Sequence, residues 1–200
     1  MGESVEARIL AAAIACLERG GVAGTGIREI AREAGVNSAA ISYYFRSKDN
    51  LLRLALAQTL DQAFTQVPAD LERLEASGLE GREAFECLIA EYLFQAARYP
   101  RLTYANLHDV LSDQHDTAPA AQMVRTLLDT LADKLTAAFP GQGREAVRLG
   151  LGQIWAAMLS WAMAPRLFAP ADFDVSNPEH CLRWAKQMVS VLDLPTVGAS

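Results

Sequence analysis

Apolar residues recur every three to four positions along most of this 200-residue chain, and strict two-residue alternation is absent. That period belongs to helices that each bury one stripe, and it leaves no segment to build a sheet. The fold class expected is therefore all-α. The first stripe is Val5, Ile9, Ala13 and Leu17, with Ser4 placed to cap it and Gly20 with Gly21 placed to stop it. A short helix follows over 27–34, with Thr25 or Gly26 at its cap and Ile27, Ile30 and Ala31 facing inward. Gly35 supplies a turn, a third helix runs from Asn37 to Phe45, and a fourth spans 47–67 and stops at Pro68. Residues 70–81, with Gly78 and Gly81, read as a loop or a frayed helix end. Further helices are expected over 82–99, 101–112, 118–139, 144–164 and 178–192, with breaks at 140–143 and 164–177.

Composition excludes several classes. Cys16, Cys87 and Cys181 are too few, too scattered and odd in number for a disulfide framework or a metal knuckle. They suit small buried residues in a reducing cytoplasm. Glu3, Glu6 and Arg8 interrupt any apolar leader. The longest apolar run, near 149–163, contains Gly150, Gly152, Gln153 and Ser160 and is too short for a membrane span. Net charge is −6, yet residues 1–53 carry seven Arg or Lys against six Asp or Glu, and the rest carry eleven against eighteen. The acidity therefore belongs to residues 54–200, and the first segment is free to meet a polyanion.

The stretch GVNSAAISYYFRSKDNL, from Gly35 to Leu51, sorts its residues by helical spacing. Ile41 and Phe45 lie four apart and point inward, supported by Val36 and Ala40, toward Ile30 and Ala31. Ser38 with Ser42, and Ala39 with Tyr43, point the other way. Small side chains let a helix approach base edges in a major groove about 12 Å wide. A serine hydroxyl can bond a base or a phosphate, and Tyr43 and Tyr44 can reach the flanking backbone. Lys48 opens the next helix, where its charge and the free N–H groups both favour a phosphate. Two short helices joined through Ala34, Gly35 and Val36 form a helix-turn-helix.

The pieces ILAAAIACLERGG and TGIREIAREAGVNSAAISYYFRSKDNLL, about a quarter of the chain, resemble the DNA-binding domain of the TetR family of transcriptional regulators. The resemblance implies an N-terminal three-helix helix-turn-helix domain over 1–53, followed over 54–200 by a larger helical domain for dimerisation and ligand binding. It implies that Thr25 and Arg28 meet phosphate or groove edges. Asn37, Ser38, Ala39, Ala40, Ser42, Tyr43 and Tyr44 would form the reading helix, and Lys48 a phosphate clamp. Three positions depart from the usual pattern: Gly26 where Ser or Thr caps the second helix, Val22 where an aromatic often stands, and Ser42 where Tyr is common.

Residues 54–200 carry no family motif. The helix over 144–164 is apolar almost all round after Arg148, through Leu151, Ile154, Trp155, Met158, Leu159 and Trp161. The last helix has a similarly wide stripe in Leu182, Trp184, Ala185, Met188, Val189, Val191 and Leu192. Such helices need cover on more than one side, and a two-fold bundle between copies supplies it. A homodimer sets two reading helices about 34 Å apart, on a palindromic operator in double-stranded DNA. Candidate effector-binding residues are Phe64, Phe85, Tyr92, Gln95, Tyr99, Tyr104, His108, Met123 and Trp155, which suit a small hydrophobic or aromatic molecule. Ordinary core packing is the favoured account of any single one of them.

In HDVLSDQHD, the residues His108, Asp109, Asp113, His115 and Asp116 lack ligand pairs at helical spacing, so a polar helix end is expected rather than a metal site. His180 and Cys181 are adjacent, hence about 100° apart on a helix, and do not form a nucleophile and base. No phosphate loop or cofactor motif is present, so no catalytic residue and no cofactor is assigned. The expectation is a cytoplasmic repressor, not an enzyme, whose effector shifts the helix over 47–67. The competing class is a helical ligand-binding protein or enzyme that does not bind DNA.

Overall fold

The computed structural model describes residues 4–112 and 119–193, and no strand occurs among them. Ten α-helices follow in order: α1 (Val5–Gly24), α2 (Ile27–Ala34), α3 (Ser38–Phe45), α4 (Lys48–Ala76), α5 (Gly81–Arg98), α6 (Pro100–Ser112), α7 (Pro119–Leu135), α8 (Arg144–Met163), α9 (Pro165–Phe168) and α10 (Pro178–Val189). Short 3-10 turns follow α7 and α10, at Thr136–Ala138 and Ser190–Asp193. Contacts group these helices into two units, one from residues 1–63 and 99–121, the other from 64–98 and 122–200.

In the first unit α1 is capped by Ser4, whose Oγ accepts the Ala7 N–H at 3.1 Å. Its stripe of Ile9, Ala12, Ala13, Cys16 and Leu17 is buried. Regular geometry fails at Gly21, where φ is 65°, and the chain resumes a turn as far as Gly24. The expected stop thus acts as a kink. Ile30, Ala31, Ile41, Phe45, Leu51, Leu52 and Ala55 close one core around the α1 stripe. The α6 helix joins this core through Ala105, with Leu102 packed against it. Thr59 and Asn106 hydrogen-bond each other, and the Arg101 guanidinium donates to the Arg19 carbonyl.

One expected boundary is wrong. Helix α4 does not stop at Pro68 but continues to Ala76, through half of the segment read as a loop. Proline removes one helix donor at a cost of about 3 kcal/mol. Here the next turns bury Leu71 and Leu74 beside Val67 in the second core. Asp70 accepts the Tyr92 hydroxyl at 3.0 Å, and Arg73 pairs with Glu91 at 2.7 Å. Burial of two leucines, at roughly 1.5–3 kcal/mol each, outweighs the missing bond. The helix ends where Gly78 takes φ 98°.

The second unit is built on α5, α7, α8, α10 and the distal part of α4. Phe85, Leu88, Leu128, Leu131, Leu135, Phe139, Leu151, Ile154 and Val189 form its main core. A smaller cluster gathers Leu93, Met158, Cys181 and Trp184, with Trp161 and Phe173 against it. Arg82 links the α5 start to the 3-10 turn after α10, 2.9 Å from Glu86 and 2.6 Å from Asp193. That hydrogen bond holds the Asp193 carboxyl below the usual carboxylate range.

Candidate nucleic-acid interface

Helix α3 is set by three local devices. Asn37 sits in extended backbone ahead of α3, and its Oδ1 accepts the Ala40 N–H at 2.8 Å. Gly35 takes the left-handed conformation at φ 64°, where its N–H and that of Val36 return to the Arg32 and Ala31 carbonyls. Ile41 and Phe45, each 1% exposed, anchor the inner face. What remains outside is Asn37, Ser38, Ala39, Ser42, Tyr43 and Tyr44, with Ala40 half-buried. Tyr43 is 81% exposed and meets Tyr44 edge-on, ring centroids 5.1 Å apart. Both tyrosines therefore lie outside the core, Tyr43 on the face it shares with Ala39 and Tyr44 about 100° round the helix from it.

The joint between α3 and α4 is also built from polar side chains. Ser47 Oγ accepts the Asn50 N–H at 3.1 Å, which caps α4. The Asn50 side-chain amide donates to the Phe45 carbonyl at 3.0 Å, so the end of one helix is tied to the start of the next. Arg46, between them, is the one non-glycine residue with positive φ among the described residues, at 67°. Lys48 is half-buried in the first turn of α4, beside amides that a helix leaves unpaired. Asn50 was not expected in this role, although a Ser-x-x-Asn spacing at a helix start could have suggested it.

Thr25 departs from expectation. Its side chain is 1% exposed, and its hydroxyl donates to the Gly21 carbonyl at 2.7 Å. It closes the α1 kink from inside, so its side chain is not presented to a phosphate. Nor does it replace the missing cap of α2: Gly26 holds that position with no side-chain hydrogen bond. Arg28 stays exposed on α2.

Several cations around α3 stand outside the ion pairs of this unit, although Asp49 is exposed beside Lys48. Glu29 and Glu33 face Arg19, at 3.7 and 2.8 Å. Arg28, Arg32, Arg46, Lys48 and Arg53 make no ion pair among the described residues. A slightly positive sequence segment thereby presents several unpaired cations, which is the electrostatic footprint that a phosphate backbone attracts.

The candidate effector residues divide between the units. Tyr99, Tyr104 and His108 belong to the first, where the Tyr104 and His108 rings lie 6.1 Å apart and both residues are exposed. Phe64, Phe85, Tyr92, Gln95, Met123 and Trp155 belong to the second. Phe85 is wholly buried core, Phe64, Tyr92 and Trp155 are half-buried against it, Met123 is half-buried and Gln95 exposed. Burial, and then the bond to Asp70, raise the Tyr92 phenol well above its ordinary range. Asp113, His115 and Asp116 lie outside the described residues. Among the described residues no group of three His, Cys, Asp or Glu is disposed to hold a metal, and no helix is long and apolar enough to cross a membrane. His180 Nδ1 accepts the Asp174 N–H at 2.9 Å, while the Cys181 thiol donates to the Val175 carbonyl and is pushed up to about 11 by burial. Each has its own partner, as adjacent helix positions require.

On α8, Val147, Gly150, Leu151, Ile154, Met158 and Ala162 are buried, but Leu149 is 63% exposed and Ala156 is also exposed. On α10 an open depression of about 490 Å3 is lined by Glu179, Leu182, Arg183, Lys186 and Gln187. Among the described residues neither helix is covered on all sides.

Comparison with known proteins agrees with this geometry. The profile for bacterial regulatory proteins of the tetR family matches residues 9–55. The HTH-type transcriptional dual regulator CecR of Shigella flexneri is 40% identical over 92 residues, which is 44% of this chain and 40% of that protein. The probable HTH-type transcriptional regulator YttP of Bacillus subtilis (strain 168) is 42% identical over 52 residues, 26% of this chain and 25% of that one. The chain thus spans well under half the length of either relative. Among solved structures, a TetR family member from Streptomyces coelicolor A3 superposes with a TM-score of 0.62 at 20% identity, covering 93% of this chain and 98% of its own. The regulator FadR from Bacillus subtilis, solved with stearoyl-CoA, gives 0.63 at 16% identity, covering 92% and 96%. At such identities the structures speak for the fold. Residues 9–55, which hold the helix-turn-helix, are thus similar to the DNA-binding domain of the tetR family of bacterial regulatory proteins.

Proposed function

We propose that the protein is a sequence-specific, DNA-binding transcriptional regulator that acts in the cytoplasm as a homodimer on a palindromic operator. One observation carries this reading: the outer face of α3 is exposed from Asn37 to Tyr44 while Ile41 and Phe45 anchor its inner face. The face is small at Ser38 and Ala39, polar at Ser42, aromatic at its far end, and flanked by unpaired cations. Arg28, Asn37, Ser38, Ala39, Ala40, Ser42, Tyr43 and Tyr44 meet the duplex, and Lys48 holds a phosphate. Thr25 serves from within, by shaping the kink that precedes α2. The uncovered faces of α8 and α10 support dimerisation.

The regulator is a repressor released by a small hydrophobic or aromatic effector held by the second unit. Helix α4, whose residues belong to both units, carries the change. Release requires that the effector prefer one dimer geometry over the other. The fold is shared with a regulator solved with stearoyl-CoA, which makes a long acyl chain a sensible first probe. In this reading the protein works by binding rather than by chemistry on a substrate.

The test is selection from a random-sequence duplex pool, followed by gel shift in 50–200 mM salt. A palindromic site bound about a thousandfold above random duplex, with two chains per site, is the expected result. Equal affinity for all duplexes would remove the reading. Loss of the shift on adding stearoyl-CoA or an aromatic ligand locates the effector class, and retention with ligand demonstrably bound counts against release.

A further inference from the structure

We infer that Arg8 is a positioning residue for DNA reading: its guanidinium, sent from α1, braces the turn between α2 and α3 and so fixes where the reading helix sits. The inference rests on the DNA-binding reading above and adds to it a residue that meets no base.

Its geometry is specific. Arg8 Nη2 donates to the Ala34 carbonyl and, at 3.3 Å, to the Gly35 carbonyl. These are the acceptors left over at the end of α2, since the Ala31 and Arg32 carbonyls are taken by the Val36 and Gly35 N–H groups. A cation belongs there electrostatically, because helix carbonyls accumulate partial negative charge at that end. No carboxylate competes for it among the described residues. Glu29 and Glu33 go to Arg19, which lies eleven residues, or three turns, farther along the same face of α1. The two arginines divide the work: Arg19, with its side chain 49% exposed, holds α2 by its acids, while half-buried Arg8 holds the backbone of the turn.

The turn is then closed from both sides. A side chain on Gly35 would put its Cβ 3.1 Å from Arg8 Nη2, in a backbone conformation that already disfavours one. Val36 follows directly, and Asn37 starts α3. Few rotations separate the braced carbonyls from Ser38 and Ala39, so slack at Gly35 becomes displacement at the groove. A phosphate contact, by contrast, would need the guanidinium turned outward and free.

The experiment compares wild type with Arg8→Ala and Arg8→Lys, using the duplex that wild type selects from a random pool and a scrambled duplex of equal length. Arg8→Ala is expected to weaken the selected duplex by about tenfold, the scale of one lost base contact. The scrambled duplex should be bound as before, with the salt slope unchanged. Amide exchange at Gly35 and Val36 should quicken, and Arg8→Lys, which reaches one carbonyl at a time, should fall between. Equal weakening of both duplexes with a slope lower by about one would make Arg8 a phosphate contact and overturn the inference. Wild-type exchange rates in Arg8→Ala would overturn it as well. If Arg8→Ala does not fold, the exchange rates and duplex preference of Arg8→Lys decide alone, and wild-type values for both overturn the inference. If wild type selects no duplex, the DNA-binding reading fails, and the exchange rates still decide whether Arg8 braces the turn.

Discussion

Asn37 Oδ1 accepts the Ala40 backbone N–H at 2.8 Å, a cap set directly ahead of Ser38 at the start of α3. The side chain shares this donor with the Asn37 carbonyl, 3.1 Å away, in a first turn whose amides lack the usual i−4 partners. Asn37→Ala is expected to cost about 1 kcal/mol and to lower the melting temperature by about 2–4 °C, whereas Asn37→Ser should keep the wild-type value. Thermal denaturation followed by circular dichroism decides. Equal melting of the alanine and serine variants would mean that the bond contributes nothing in solution.

Lys48 makes no ion pair among the described residues and stands in the first turn of α4. Lys48→Ala should weaken binding to every duplex alike and reduce the salt slope by about one, with little change in stability. Affinity measured against salt on selected and scrambled duplexes checks this. A loss confined to the selected duplex would assign Lys48 to base reading instead.

Pro68 lies inside α4, where it withholds one hydrogen-bond donor. Pro68→Ala is expected to raise stability, by up to about 3 kcal/mol if the helix can straighten without repacking Val67 and Leu71. Urea denaturation measures the gain. A decrease would show that the half-buried ring is worth more than the donor it lacks.

Gly150 faces Leu192, and a Cβ at that position would collide with the leucine side chain, which is 3% exposed. Gly150→Ala should cost about 1–3 kcal/mol as an overpacked core. Leu192→Ala should relieve the clash, so the double variant loses less than the sum of the two. Additive losses in urea would place the strain elsewhere.

Tyr92 is half-buried with its hydroxyl on Asp70, and burial and that bond raise its pKa above the ordinary value near 10. The unfolded chain therefore loses this proton first. The contribution to stability is complete below about pH 10 and declines as pH rises toward the folded value. The gap in unfolding free energy between wild type and Tyr92→Phe should narrow above pH 10 and stay constant from pH 7 to 9. A constant gap across the whole range would contradict the raised pKa.

Much of the first unit was legible because its signals are local. Asn37 before a small-residue turn, Gly35 after Ala34, and Ile41 four residues from Phe45 each act within a few residues of where they stand. The same local logic failed at Pro68, where a breaker was overruled by leucines whose burial depends on partners far along the chain. It also misjudged Thr25, because a threonine beside a helix start reads as a cap until its hydroxyl is seen turned back to Gly21.

The sequence by itself determined that this chain is helical, where the turn between α2 and α3 falls, and which side of α3 is small, polar and aromatic. Spacing along one helix is a property of the covalent chain. Only the tertiary structure decided that α6 joins α1, that Arg8 reaches the turn twenty-six residues away, and that Glu29 and Glu33 are occupied by Arg19. Those pairings depend on distances across helices, and no interval along the sequence encodes them.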